Sequence, residues 1–143
     1  MNKSISLMSR ALIALIFLMS GFGKLTHFGS MAQLAASAGL PFPEFSIAIA
    51  TVIELAGGLA LLIGFETRWT ALALVIYLIP VTIVFHVAKM SDPGQVQMQT
   101  IEVLKNLAIM GGLLKYYLDG AGFLALDNRR VAVAKPKGAS FAD

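Results

Sequence analysis

Apolar residues run almost unbroken through several long stretches of the chain, and short polar or turn-forming segments separate them. The clearest stretch is Phe45 to Phe65, mostly apolar, with one carboxylate, Glu54, near its centre. A helix of that length, rising about 1.5 Å per residue, crosses the ~30 Å hydrocarbon core of a bilayer. Glu54 then sits about 14 Å from either end, too deep for a glutamate side chain to reach the interface. A carboxylate at that depth must pair, take up a proton or face water held inside the protein.

The same pattern predicts three more spans. The first runs from about Leu7 to Gly23, and Arg10, Ala14, Phe17, Gly21 and Lys24 repeat along one helical face. That face turns toward other helices, or its two cations snorkel to opposite interfaces. Thr26 to Glu44 then connects to the second span. Within it Ser30 can cap a short interfacial helix that places Met31, Leu34, Ala35 and Ala38 on one side and stops at Gly39 before Pro41. Glu66-Thr67-Arg68 is so short that the second and third spans form an antiparallel hairpin. Gly57-Gly58, one turn beyond Glu54, lets a neighbouring backbone come close beside the carboxylate.

Trp69 opens the third span at interfacial depth, and the span continues to about Val87. Pro80 inside it leaves the carbonyl of Ile76 without its helical donor and kinks the helix. Thr82 and His86 share a face. Lys89 to Thr100 reads as a polar turn with Asp92-Pro93-Gly94 at its tip. The fourth span, about Ile101 to Leu118, is polar in its first half, where Glu102 can reach Lys105 or Asn106. Asp119-Gly120-Ala121-Gly122 ends it, and a basic tail follows from Asn128 to Asp143.

Composition agrees with lipid as the solvent. The chain has 143 residues, 57% of them hydrophobic and only 13% charged, and a mean hydropathy of +0.79. A soluble core of that size cannot hide so much apolar surface. Lys3 and Arg10 ahead of Ala11–Met19 resemble a secretory signal, but further apolar spans follow, so the reading is a retained signal-anchor helix. The absence of cysteine excludes disulfides, thiolate-ligated metal clusters and thiol redox chemistry within the chain, though not redox chemistry on a bound cofactor.

The distribution of cations says more than the net charge of +3. With four spans, Lys3, Arg10, Arg68, Lys115, Arg129, Arg130, Lys135 and Lys137 share one side, leaving Lys24, Lys89 and Lys105 on the other. The positive-inside rule then puts both termini in the cytoplasm. Basic residues gathered this way, without interleaved aromatics, exclude nucleic acid as a partner. Together these patterns predict an all-α fold: an integral-membrane four-helix bundle, N-in/C-in, with a short interfacial helix between the first two spans. Residues 1–127 form the transmembrane domain and 128–143 a basic cytoplasmic tail.

Candidate chemistry centres on Glu54. Lys105 and Arg10, on different spans from the acid and from each other, are its candidate cations, and Lys24 is a further candidate ligand-binding residue. One reading is an ion-pair network that locks helix register. The other is a polar cleft in which Glu54, His86, Lys105 and Asn106 hydrogen-bond the oxygens of a quinone and exchange its protons. A small proton-coupled carrier would want the same buried acid, and a membrane anchor or scaffold would use it for packing alone. His27 lies in a loop, so a haem held between His27 and His86 is not expected, and no metal site is read.

Gly21-Phe22-Gly23-Lys24-Leu25, Glu54-Leu55-Ala56-Gly57-Gly58, Gly64-Phe65-Glu66-Thr67-Arg68, Phe85-His86, Lys105-Asn106-Leu107 and Gly120-Ala121-Gly122 followed by Asp127 resemble the DoxX family. These are small four-helix proteins of the bacterial inner membrane. The resemblance runs from the first span to about Asp127 and rests on the order and spacing of the motifs together. It implies a multi-pass inner-membrane protein and quinone-linked redox work. The family takes its name from the small membrane subunit of a thiosulfate:quinone oxidoreductase, and other members are associated with oxidative-stress complexes. Its implied partners are the lipid bilayer and a soluble or peripheral oxidoreductase subunit, with a homo-oligomer as a further expectation. Lys24, Glu54, Arg68, His86, Lys105 and Asn106 are the polar positions it matches here, and no catalytic residue travels with them.

Overall fold

Every regular element described in the computed structural model, which covers residues 3–128, is helical. Helices α1 (Lys3–Thr26), α2 (Phe28–Ser37), α3 (Pro43–Ile63) and α4 (Thr67–Phe85) lead through a 3₁₀ turn (Val87–Ser91) to α5 (Val96–Asp119). By length and composition, Lys3–Thr26, Pro43–Ile63 and Thr67–Ser91 can each cross a membrane. The α5 helix has the length to cross but carries Glu102, Lys105, Lys115 and Asp119. The predicted tail falls outside the described residues, Asn128 apart.

The predicted face of α1 is its buried face. Arg10, Ala14, Phe17 and Gly21 are buried, joined by Ser6, and the stripe lies mainly against α3. Close approach depends on glycine here. A Cβ on Gly21 would come within 2.8 Å of Leu55 Cγ and 3.2 Å of Glu54 Cβ, and one on Gly57 within 2.8 Å of Leu74 Cδ2. Helix α4 packs against α3 and α5, and the core gathers Ala14, Phe17, Leu61, Ala71, Leu74, Val75, Leu78 and Leu113. Large apolar side chains such as Met19, Val52, Ile76 and Leu104 face outward instead, the distribution expected when lipid is the solvent.

Two boundaries differ from expectation. Helix α2 starts at Phe28 rather than behind a Ser30 cap, because it continues from α1: His27 N donates to Gly23 O and Met31 N to His27 O. No side chain caps the start of α2, and only His27 separates it from the end of α1. The helix does stop at Gly39, whose φ of +80 lets Leu40 N reach back to Ala35 O. Finally, the predicted turn from Lys89 to Thr100 is largely helical. Only Asp92 to Gln95 lies between the 3₁₀ turn and α5, closed by Gln95 N to Asp92 O, so Gln99 and Thr100 belong to the first turns of α5.

At the opposite end, the segment after α5 folds back over the helix termini. Asp127 accepts the backbone N–H of Glu66 (2.7 Å) and Thr67 (2.9 Å), capping α4 from about sixty residues downstream in the sequence. Arg10, fully buried, donates to the carbonyls of Ala121 (3.2 Å) and Leu124 (2.7 Å). Gly64, at φ +70, has no room for a Cβ beside Arg10 and Ala125.

Candidate functional site

Glu54 is buried at mid-helix in α3, and its carboxylate is satisfied by side chains from both neighbouring helices. Lys24 Nζ donates to Oε1 (2.9 Å) and Oε2 (2.8 Å), and Tyr77 Oη donates to Oε1 (2.6 Å). Helix geometry explains how a residue in the last turn of α1 reaches mid-span. Cα–Cβ bonds tilt toward the helix N-terminus, so the Lys24 stem lies back over the preceding turn, where its ammonium also donates to Ser20 Oγ (2.7 Å). Gly21 lets α1 approach α3 closely enough for the pair to close. Charge-assisted hydrogen bonds to every Glu54 partner offset its loss of hydration.

This cluster lies in the wall of a cavity of about 440 Å³ between α1, α2, α3, α4 and α5. Ile16, Phe17, Leu34, Ile47, Leu78 and Phe85 supply apolar wall, and Lys24, Glu54, Tyr77, His86, Gln99, Glu102, Lys105 and Asn106 the polar part. Five of the six residues singled out from sequence, Glu54, Lys24, His86, Lys105 and Asn106, therefore line one space. They are not all bonded to one another. Lys105 pairs with Glu102 rather than Glu54, since the i,i+3 neighbour on its own helix is nearer than an acid on another. His86 Nδ1 meets Gln99 Oε1 at 2.9 Å, and Asn106 Nδ2 donates to Thr82 Oγ1 at 3.0 Å.

Arg10 is the exception. It is bound to carbonyls at the α3–α4 turn end and does not line the cavity, so it is no partner of Glu54. Its position nearer the start of α1 and the backward lean of side chains carry the guanidinium away from mid-span. That end also has a wider cleft, about 710 Å³, bordered by Glu66, Arg68, Trp69, Asp119 and Asp127. It is more open and shares no residue with the Glu54 cluster, so the cavity beside Glu54 is the better candidate.

Tyr77 was not legible as a partner from periodicity, yet a signal existed. Glu54 precedes Phe65 by eleven residues and Tyr77 follows it by twelve. In an antiparallel hairpin turning there, both lie at one depth, and a buried tyrosine hydroxyl seeks an acceptor. Gln99 was missed because its segment read as a turn. Among the described residues no group of His, Cys, Asp and Glu could hold a metal ion.

The sequence profile of DoxX matches residues 5–87, which span α1 to the end of α4. The chain is 31% identical to the inner membrane protein YphA of Escherichia coli (strain K12) over 86% of its length and 88% of the relative's. It is also 31% identical to the inner membrane protein YqjF of the same organism, over 85% of this chain and 88% of that one. No solved structure matches it. Three apolar helices of spanning length, with relatives of this kind, make it a multi-pass inner-membrane protein. Matched by the family profile over more than half its length, the chain belongs to the DoxX family.

Proposed function

We propose that this protein is the membrane component of a quinone-linked oxidoreductase or redox-stress system, and that the cavity beside Glu54 receives the quinone head group. The observation that carries the reading is an apolar-walled space of about 440 Å³ with a charged, fully hydrogen-bonded cluster at mid-span. A quinone needs that mixture: apolar wall for its ring and chain, and polar groups for its oxygens. His86 and Glu54 supply titratable groups, while Lys105 and Asn106 supply N–H donors. With no nicotinamide, flavin or iron–sulfur motif in the chain, electrons would pass to or from a soluble or peripheral partner subunit.

The proposal includes a four-span bundle with both termini cytoplasmic and the cavity open to the periplasm. Support comes from α5, whose Gln99 and Asn106 are buried while Ile101, Leu104, Leu107, Leu114 and Leu118 face outward. Buried Gln99 and Asn106 account for part of its modest hydropathy, exposed Gln97, Lys105, Lys115 and Asp119 for the rest, and between these its outward residues are mostly apolar. Orientation rests on the cation asymmetry of the sequence.

The test is titration of ubiquinone and menaquinone analogues into protein reconstituted in nanodiscs. Binding is expected, weakened at least tenfold by Glu54→Gln and by His86→Ala. Unchanged binding in both variants removes the cavity from the proposal.

A further inference from the structure

His86 sits at the end of a directed chain of side-chain hydrogen bonds. Gln95 Nε2 donates to Asp92 Oδ2 (2.8 Å), Gln99 Nε2 to Gln95 Oε1 (3.5 Å), and Gln99 Oε1 faces His86 Nδ1 (2.9 Å). Asp92 Oδ1 also accepts the backbone N–H of Gly94 (3.0 Å). Gln99 is buried, whereas Asp92 is exposed on the loop between the 3₁₀ turn and α5.

The direction of this chain follows from its first member. An ionised carboxylate only accepts, so the Gln95 amide must present its NH₂ to Asp92 and its carbonyl to Gln99. Gln99 must then present its own NH₂ to Gln95 and its carbonyl to His86. Reversing any one amide reverses the others and sets the Gln95 carbonyl against the Asp92 carboxylate. The hydrogen bonds from Gln95 and Gly94 hold the Asp92 carboxyl below its ordinary range, which keeps it an acceptor at neutral pH.

We propose that Asp92, Gln95 and Gln99 hold neutral His86 as the Nδ1–H tautomer, so that its Nε2 lone pair is a proton-accepting atom presented to the cavity. The hydrogen bonds of the described residues leave Nε2 without a protein donor, and His86 lines the cavity. The atom is matched to a ligand hydroxyl. Resting on the quinone reading above, this makes the reduced, hydroxyl-bearing form of the ring the better fit at the His86 end, because an oxidised carbonyl would meet lone pair with lone pair. Gln99, Gln95 and Asp92 act through His86 and are positioning residues.

The chain has two histidines, His27 and His86. ¹⁵N-histidine labelling of the full-length His27→Gln variant in nanodiscs therefore leaves one imidazole signal set. At alkaline pH, where imidazole is neutral, the expected spectrum has a pyrrole-type Nδ1 and a pyridine-type Nε2. Gln99→Leu should shift the population toward the Nε2–H form that free imidazole favours, and Asp92→Asn, on the exposed loop, should do so partly. A pyridine-type Nδ1 before either substitution overturns the proposal. So does a tautomer population that neither variant changes.

The ligand part has its own readout. Tetramethylhydroquinone and its oxidised partner, whose filled rings do not alkylate lysine, are titrated separately under anaerobic conditions. The reduced form should shift the His86 Nε2 resonance at a concentration at least tenfold lower than the oxidised form. An equal or stronger response to the oxidised form overturns the hydroxyl preference. Silence with both probes overturns the quinone reading itself and leaves the tautomer to be decided by its own spectrum.

Discussion

Lys24 commits its ammonium to Ser20 and to both oxygens of Glu54, and Tyr77 commits its hydroxyl to the same acid. Removing one member of such a pair strands the other charge in a poorly solvated place, which costs more than the pair contributes. Lys24→Met should therefore destabilise the protein by about 3–5 kcal/mol, and Lys24→Met with Glu54→Leu should recover most of that loss. Reversible unfolding in detergent micelles, run as a double-mutant cycle, measures the coupling. Tyr77→Phe leaves the ion pair but removes a hydrogen bond to a charged acceptor, so its expected loss is smaller, about 1.5–3 kcal/mol. Near-equal losses for Lys24→Met and Tyr77→Phe would argue against the ion pair as the centre of the cluster.

Between helices, the decisive positions are those where a missing side chain sets the spacing. Gly21 faces α3 beside Glu54, while Gly111 on α5 has open space around it. Gly21→Leu should push α1 from α3, costing about 1–3 kcal/mol by overpacking and weakening the Lys24–Glu54 contact. Gly111→Ala should be neutral or stabilising by up to about 1 kcal/mol, since it only reduces backbone freedom. Thermal unfolding of the two variants side by side checks the contrast. The capping of α4 belongs here too. Asp127→Ala removes the acceptor of two amide N–H groups, and a loss of about 1–2 kcal/mol is expected. Hydrogen exchange should localise it to Glu66 and Thr67 rather than to the Glu54 end.

For the whole molecule, the proposed membrane orientation makes a direct labelling prediction. The chain has no cysteine, so each introduced one is a unique probe. In intact cells, Ser91→Cys on the cavity side should react with a membrane-impermeant maleimide, and Asp119→Cys at the other end only after the membrane is opened. Both side chains belong to exposed residues. The reverse pattern would invert the proposed topology and place the cavity mouth in the cytoplasm.

Much of this arrangement is legible in the chain before any coordinates. Run lengths of apolar residues set the helices that can span, because a bilayer demands about twenty residues with their backbone groups satisfied internally. Helical periodicity alone picked out the Arg10, Ala14, Phe17, Gly21 face of α1 that is buried, and the depth of Glu54 required it to pair, take up a proton or meet internal water. Which cation that partner is could not be read. Depth offered Lys105 and Arg10, while Lys24 could as well have snorkelled to the interface, and the choice turned on helix rotation and on the backward lean of side chains. Those features send Lys24 to Glu54, Lys105 to Glu102 and Arg10 to the carbonyls of Ala121 and Leu124. Tyr77, Gln99 and the direction of the bonds reaching His86 likewise emerged only from packing. Periodicity reports which side of one helix is apolar, whereas a hydrogen bond between helices depends on register, rotation and spacing, which all the packed elements decide together.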